Sequence, residues 1–266
     1  MEITINALLT VVGLVLLCFG GNWLVTGGVS IAKKLRISQM VIGLTVVAYG
    51  TSTPELAASV AASLGSHTDL ILGNIVGSNI SNVGMVIGIS AIISPLVVSK
   101  ATTRKEVPIM IGVMLLLVAM SIDGEISQYD GVLLIAGLIA FTVYTVSRAK
   151  KERKKEEEDT SAQKSSMPKA VGLVAIGSGL LYLGGYLTIE NVVSIAQSIG
   201  VSETVVGITI VAIGTSLPEL ITSLIAIKKG HTDIGIGNIV GSNIYNILMI
   251  MGVASVITGI AVVPEI

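Results

Sequence analysis

Long apolar stretches alternate with short polar breaks along the whole chain. The stretches run approximately Ile5 to Ile31, Met40 to Leu64, Leu70 to Leu96, Val107 to Ile122, Gly131 to Val146, Ala170 to Ile189, Val201 to Ile227 and Ile234 to Ile257. A helix needs about 20 apolar residues, within a range of roughly 17 to 25, to cross a bilayer. Each stretch meets or approaches that length, the fourth and fifth being the shortest. The pattern therefore predicts an all-α integral membrane protein with about eight transmembrane helices.

Composition agrees, since 52% of the 266 residues are apolar and only 12% are charged. Soluble domains carry about a quarter charged residues. The net charge of −1 says little, but the placement of charge says more. All 16 Lys and Arg residues fall in alternate breaks: Lys33, Lys34 and Arg36; Lys100, Arg104 and Lys105; Arg148 to Lys169; and Lys228 with Lys229. By the positive-inside rule these breaks are cytoplasmic and the N-terminus is outside, at the cell membrane. The first stretch is too long for the apolar part of a signal peptide and lacks a basic leader, so it reads as a retained helix. Cys18 stands alone, which excludes an intramolecular disulfide.

A repeat organises the chain. Ala48 to Asn82 reads AYGTSTPELAASVAASLGSHTDLILGNIVGSNISN, and Ala212 to Asn246 reads AIGTSLPELITSLIAIKKGHTDIGIGNIVGSNIYN, with no gap between the copies. Upstream, Gly20 and Gly21 match Gly184 and Gly185, and Val29 to Ala32 matches Val193 to Ala196 at the same offset. Spans 1 to 3 thus correspond to spans 6 to 8. An odd number of spans separates the copies, so the second enters the membrane in the opposite direction. Inverted repeats of this kind place a transporter's binding site at their interface, near the bilayer midplane. The chain divides into an N-terminal half at 1–147, a charged linker at 148–168 and a C-terminal half at 169–266. The linker's basic block, acidic block and Ser-rich tail predict a solvated tether. Symmetry also predicts counterparts of spans 4 and 5 after span 8, but the sequence stops at Ile266, which is expected of either a truncated chain or a shorter second repeat lacking the last two helices.

Each copy places one glutamate, Glu55 or Glu219, in an otherwise apolar run. A charged side chain at the centre of a membrane helix costs roughly 2.5 to 3.5 kcal/mol on insertion scales and normally faces a cavity or a partner. Ala48, Thr51 and Ser52 precede Glu55 by helical spacing and share its face, as Ala212, Thr215 and Ser216 share that of Glu219. Pro54 and Pro218 remove a donor, which is expected to leave carbonyls near Gly50–Thr51 and Gly214–Thr215 free. The next span carries Asn74, Ser78 and Asn82 in one copy and Asn238, Ser242 and Asn246 in the other, each a polar stripe beside a GxxxG pair. Alone, such a stripe is ordinary helix packing. Joined to two glutamates in inverted motifs, it supplies hard oxygen ligands suited to sodium, calcium or magnesium. Calcium takes about six to eight oxygens. Two bidentate glutamates and one carbonyl each from Thr51 and Thr215 reach the lower end of that range. Two monovalent ions or two protons would balance the same charge.

His67 and His231, in matching HTD triplets on opposite sides, are too far apart for a shared metal. Asp69 and Asp233 are expected to cap the helices that follow. Trp23 has no assignable role. The chain has no HExxH, GxSxG or phosphate-cradling motif and no nucleic-acid footprint, so neither an enzyme nor a resident cofactor is expected.

GTSTPEL with GNIVGSNISN, repeated as GTSLPEL with GNIVGSNIYN, resembles the two alpha-repeats of the sodium/calcium exchangers within the calcium/cation antiporter superfamily. The resemblance covers nearly the whole chain and is strongest to compact prokaryotic members. It implies antiport of sodium against calcium by alternating access, with spans 1 and 6 sliding across a core of spans 2, 3, 7 and 8. It further implies that Glu55 and Glu219 hold calcium with Thr51 and Thr215 beside them. Sodium would use Ala48, Ser52 and Ser242 on one side and Ala212, Ser216 and Ser78 on the other, with Asn82 and Asn246 between. Asn246 stands where some members, including potassium-dependent ones, carry aspartate. Ten spans are usual in the family. A proton-coupled calcium antiporter and a cation channel are the rival readings, and calcium, sodium and the lipid bilayer are the expected partners.

Overall fold

The computed structural model describes residues 2–65, 68–156, 166–201 and 212–262. The described residues are almost entirely helical. In chain order they form α1 (Glu2–Leu35), α2 (Gln39–Thr51) and α3 (Thr53–Leu64). α4 runs over Thr68–Ser81 and on through a π-helical turn, Asn82–Val86, into Ile87–Ile93. Next come α5 (Lys100–Arg104), α6 (Glu106–Met120), β1 (Glu125–Ile126) and α7 (Gln128–Glu156). The second half holds α8 (Met167–Ser198), α9 (Ala212–Thr215) and α10 (Leu217–Lys228). α11 runs over Thr232–Tyr245, a π-helical turn at Asn246–Met251 and Gly252–Ile257, and β2 (Ile260–Ala261) follows. β1 and β2 pair antiparallel, Glu125 opposite Ala261.

Five described helices, α1, α4, α7, α8 and α11, are long and apolar enough to cross a bilayer. The other three expected spans differ for local reasons. Span 2 is divided at Ser52 into α2 and α3, and span 7 at Ser216 into α9 and α10, its first part lying outside the described residues. Span 4 is α6, only 15 residues long. α7 in turn overruns its expected end near Val146 and stays helical to Glu156, into the charged linker. The remainder of the linker, 157–165, lies outside the described residues, as do His67, the side chain of Asp69 and the chain end from Val263.

α1 and α8 meet along a seam of small residues. A Cβ at Gly13 would lie 2.8 Å from the Gly184 carbonyl oxygen, one at Gly20 2.8 Å from that of Gly177, and one at Gly27 2.8 Å from that of Ala170. The seven-residue spacing keeps the seam on one face of each helix, and the lack of side chains lets the backbones approach. The helices run antiparallel. Gly13 and Gly20 correspond to Gly177 and Gly184 in the repeat, so the contact between Gly13 and Gly184 is the image of that between Gly177 and Gly20. This exchange of roles is the inverted repeat expressed in three dimensions.

α11 is the central helix. Gly237 and Gly241 bring it against α2, where added Cβ atoms would lie 2.9 Å from the Met40 and Leu44 carbonyl oxygens. Gly131 seats α7 on the Gly252 turn of α11, 2.9 Å from its carbonyl oxygen by the same measure. Met110 and Leu117 of α6 and Leu134 and Phe141 of α7 complete an apolar cluster around Ile244, Ile247 and Ile250. α4, the counterpart of α11, presents Leu70, Ile80 and Ile92 outward. In a bilayer such surfaces are no liability, because lipid tails are as apolar as leucine.

These contacts collect the basic residues at one end of the molecule. The C-terminal end of α1 lies beside the start of α8, and the α10–α11 turn, where Gly230 takes φ +77, lies beside the start of α2. Fully buried Glu106 of α6 pairs with Arg148 of α7 at the same end. A buried charge without its partner is strongly destabilising, so this pair holds α6 in register with α7.

The α1–α8 seam yields a stability prediction. Gly20→Val forces β-branched bulk against the Gly177 carbonyl, and overpacking of this kind costs about 1 to 3 kcal/mol. The thermal unfolding midpoint in detergent should fall, whereas Gly172→Ala, on the same α8 but with open space around it, should leave it nearly unchanged.

Candidate functional site

The two glutamates sit just past matching breaks in the chain. Ser52 has φ −83 and ψ 5, and Ser216 has φ −88 and ψ 1, so each copy interrupts its helix at the same residue with the same geometry. The break therefore falls two residues before the proline. Pro54 and Pro218 occupy the first turn of α3 and α10, where a missing N–H is harmless. Gly50 and Gly214 still lose the donor that a non-proline residue would supply. The Ala48 carbonyl accepts from the Ser52 N–H at 3.0 Å, with the Thr51 hydroxyl 3.2 Å away.

Glu55 and Glu219 are almost completely buried, at 1% and 0% exposure, and lie close enough to interact. Around Glu219 the second copy is knitted together. Its Oε1 accepts from Ser52 Oγ at 3.3 Å and Ser242 Oγ at 3.4 Å. Thr51 Oγ1 donates to Asn238 Oδ1 at 3.0 Å and lies 3.3 Å from Ser242 Oγ. Asn238 Nδ2 in turn donates to Ser223 Oγ at 3.0 Å. Together these bonds tie α11 to both α2 and α10, so the polar stripe faces the glutamate as expected.

The first copy forms only part of the matching set. Ser78 Oγ and Thr215 Oγ1 lie 3.2 Å apart, mirroring Ser242 and Thr51, and Asn74 Nδ2 reaches Ser59 Oγ at 3.5 Å. Among the described residues, however, both Glu55 oxygens, Ser216 Oγ, both side-chain atoms of Asn82 and Oδ1 of Asn246 have no hydrogen-bond partner. Ala212 begins α9, and its side chain lies outside what is described. Ser52 and Ser242 thus lie against Glu219 and Ser78 against Thr215, and among the described residues three of the four buried carboxylate oxygens have no hydrogen-bond partner. Burying a polar atom in this way is costly. A cation with an oxygen coordination shell would satisfy these oxygens at once.

Three features escaped the sequence reading. π-helical turns begin at Asn82 and at its counterpart Asn246, and such turns are frequent at functional sites. Asn79 and Asn243 are buried on the line where α4 crosses α11, with Asn79 Nδ2 donating to the Asn243 carbonyl at 3.4 Å. Their signal was the asparagine in both GSN triplets. The third is a polar clasp at the basic end. Lys229 donates to Asn22 and, at 3.1 Å, to Thr26 of α1, and His231 Nδ1 lies 3.0 Å from Gln39 Oε1. His231 occupies the N-cap position of α11, so Asp233 lies within the first turn instead of capping it. A carboxylate there still favours the helix dipole.

The clasp lies at the basic end, and the packing beside it differs between the copies. Gly21 of α1 seats on Thr222 and Ile225 of α10, with Cβ contacts of 3.2 Å, while its counterpart Gly185 meets Pro218 alone among the described residues, at 3.7 Å. Thr222 is fully buried, whereas its counterpart Ala58 is exposed. Among the described residues, α10 is thus packed against α1 more closely than α3 is against α8.

Comparison with known proteins agrees in family and shape. Residues 5–147 and 169–266 match the family described as "Sodium/calcium exchanger protein". The inner membrane protein YrbG of Escherichia coli (strain K12) is 34% identical over 257 residues, which span 94% of this chain and 79% of that protein. The sodium/calcium exchanger MaX1 of Methanosarcina acetivorans is 31% identical over 290 aligned positions, covering 95% of this chain and 83% of that protein. A structure of the sodium-calcium exchanger NCX_Mj soaked with sodium and strontium superposes with a TM-score of 0.84 at 32% identity, covering 99% of this chain and 86% of that one.

The clasp predicts a pH dependence. Burial and the charges of Lys33 and Lys229 hold His231 below its ordinary value of 6.5, and exposed Asp233 on its own helix does not offset them. A histidine lowered in this way contributes stability that is complete above its unfolded pKa and is lost as pH falls. Between about pH 7.5 and 5.5 the unfolding midpoint should drop further in the wild type than in His231→Gln. Equal drops in the two proteins would remove His231 from the clasp.

Proposed function

This chain belongs to the sodium/calcium exchanger family, and from that premise we propose that it is a secondary antiporter that moves sodium against calcium, normally expelling calcium as sodium enters. The family is one of multi-pass membrane transporters and not of catalysts, and cation/calcium antiport follows from membership. The observation that carries this reading is the pair of buried glutamates in inverted motifs, with three of their four carboxylate oxygens unpartnered among the described residues. Two carboxylates balance one calcium ion. They equally balance two monovalent cations, so the two cargoes compete for the same charge. Glu55 and Glu219 bind calcium, with Thr51 and Thr215 completing its shell. Ser52, Ser78, Ser216, Ser242 and the main chain at Ala48 and Ala212 supply sodium ligands on either side, and Asn82 and Asn246 line the centre.

In this reading the basic end, closed by the clasp, is the cytoplasmic one, in keeping with the positive-inside rule, and the N-terminus is external. Ions reach the glutamates from the end opposite the clasp. Exchange of conformation between the two repeats then opens the basic end and closes the other.

The test is calcium uptake into proteoliposomes loaded with sodium, beside vesicles loaded with potassium and vesicles holding only a pH gradient. Uptake should follow the outward sodium gradient and fail in the other two. Glu55→Gln and Glu219→Gln should each abolish it while the protein still purifies as a folded species. Uptake driven by the pH gradient alone would instead make the protein a calcium/proton antiporter, and normal sodium-driven uptake in either variant would refute the site.

A further inference from the structure

We propose that Asn79 and Asn243 are positioning residues that pass one inter-repeat amide hydrogen bond between them as the transporter changes its side of access. The proposal rests on the alternating-access reading above, but its geometry is independent of the ions. Asn79 and Asn243 are counterparts in the repeat, and they meet where α4 crosses α11, Asn79 Nδ2 donating to the Asn243 carbonyl at 3.4 Å. A carbonyl only accepts, so this contact fixes which way the Asn79 amide points. Its Oδ1 faces Asn246 and accepts from Asn246 Nδ2 at 3.0 Å.

The repeat maps the pair Asn246 and Asn79 onto the pair Asn82 and Asn243. That image bond is not made. Asn82 Nδ2, its would-be donor, and Asn243 Oδ1, its would-be acceptor, both lie buried without partners among the described residues. Asn243 is also fixed in orientation, because its Nδ2 is held by the Ile239 carbonyl at 2.7 Å, so the free atom is the one the image bond requires. Buried amides in proteins are nearly always paired. A matching donor and acceptor left open together therefore mark a second arrangement of the same network.

Inverted repeats supply that arrangement. When the two copies exchange conformations, Asn82 takes the bond to Asn243 and Asn246 gives up its bond to Asn79. One cross-repeat bond between side-chain amides exists in each state, and the asparagine at the start of one π-helical turn is tied while its counterpart is released toward the glutamates. Asn79 stabilises the state described here, and Asn243 stabilises its opposite. Neither is assigned to contact an ion.

The exchange predicts shifts of opposite sign. In a Cys18→Ala background, reporter cysteines are placed singly at Ala58→Cys, exposed in this state, and at Thr222→Cys, buried in it. Maleimide labelling rates are read in purified protein. Asn79→Ala should slow labelling at the first reporter and speed it at the second, by roughly two- to tenfold, the range that one net hydrogen bond supplies. Asn243→Ala should do the reverse, and the double variant should return both rates toward those of the parent. If the alanine variants fail to fold, Asn79→Ser and Asn243→Ser remove the same cross-repeat bonds while keeping a hydroxyl that can bond its own helix. Shifts in the same direction, or no shifts, would overturn the hand-over. Sodium-driven calcium flux of the parent is scored separately, so a failed antiport reading shows as absent flux and a failed hand-over as parallel shifts in a protein that transports.

Discussion

Two carboxylates share one buried site, paired with no lysine or arginine among the described residues, and the rest of the molecule is arranged around that fact. Glu55 and Glu219 are nearly sealed from solvent. Moving an ion of this size out of water costs several kcal/mol even after relaxation, and two like charges in close range add repulsion. Protein structure alone does not offset that cost here. Hydroxyls from Ser52 and Ser242 satisfy one oxygen of Glu219, and the other carboxylate oxygens have no hydrogen-bond donor among the described residues. The missing component is positive charge that comes and goes, which is what a cation carrier requires.

The fold answers a second requirement, that the site be reached from either side but not from both. Two copies of one motif, inserted in opposite directions, form near-equivalent halves of the site with equivalent breaks at Ser52 and Ser216. The α1–α8 glycine seam is symmetric under the same exchange. The hydrogen bonding is not. The second copy is knitted to α2 and clasped to α1 through Lys229, while the matching bonds from Ser216 to Glu55 and from Asn82 to Asn243 are not made. On the proposed alternating-access reading, a symmetric scaffold with an asymmetric network is one member of a pair of states, and the interior asparagines mark which member it is.

Much of this was legible in the sequence because polar residues are conspicuous in an apolar chain. The glutamates, the serine and threonine positions and the asparagine stripes all stood out against the apolar background, and the offset between copies predicted their opposite orientation. The proline was legible too, but its consequence was misplaced. A proline reads as a kink, whereas here it sits in the first turn of a new helix whose break lies at the serine two residues before it. The π-helical turns left no pattern, because an extra residue in one turn changes neither composition nor periodicity enough to notice. The clasp was hidden for another reason. Lys229 read as a charge marking a loop, and only the fold brings it to Asn22 and Thr26, far away in the chain.

On the proposed reading, the two glutamates form one site that holds one calcium ion in competition with sodium. Equilibrium binding of radiolabelled calcium to the purified protein in sodium-free detergent tests it most directly. The account predicts one calcium bound per chain, displaced completely and competitively as sodium is added. Two calcium ions per chain, or binding that sodium leaves untouched, would contradict it.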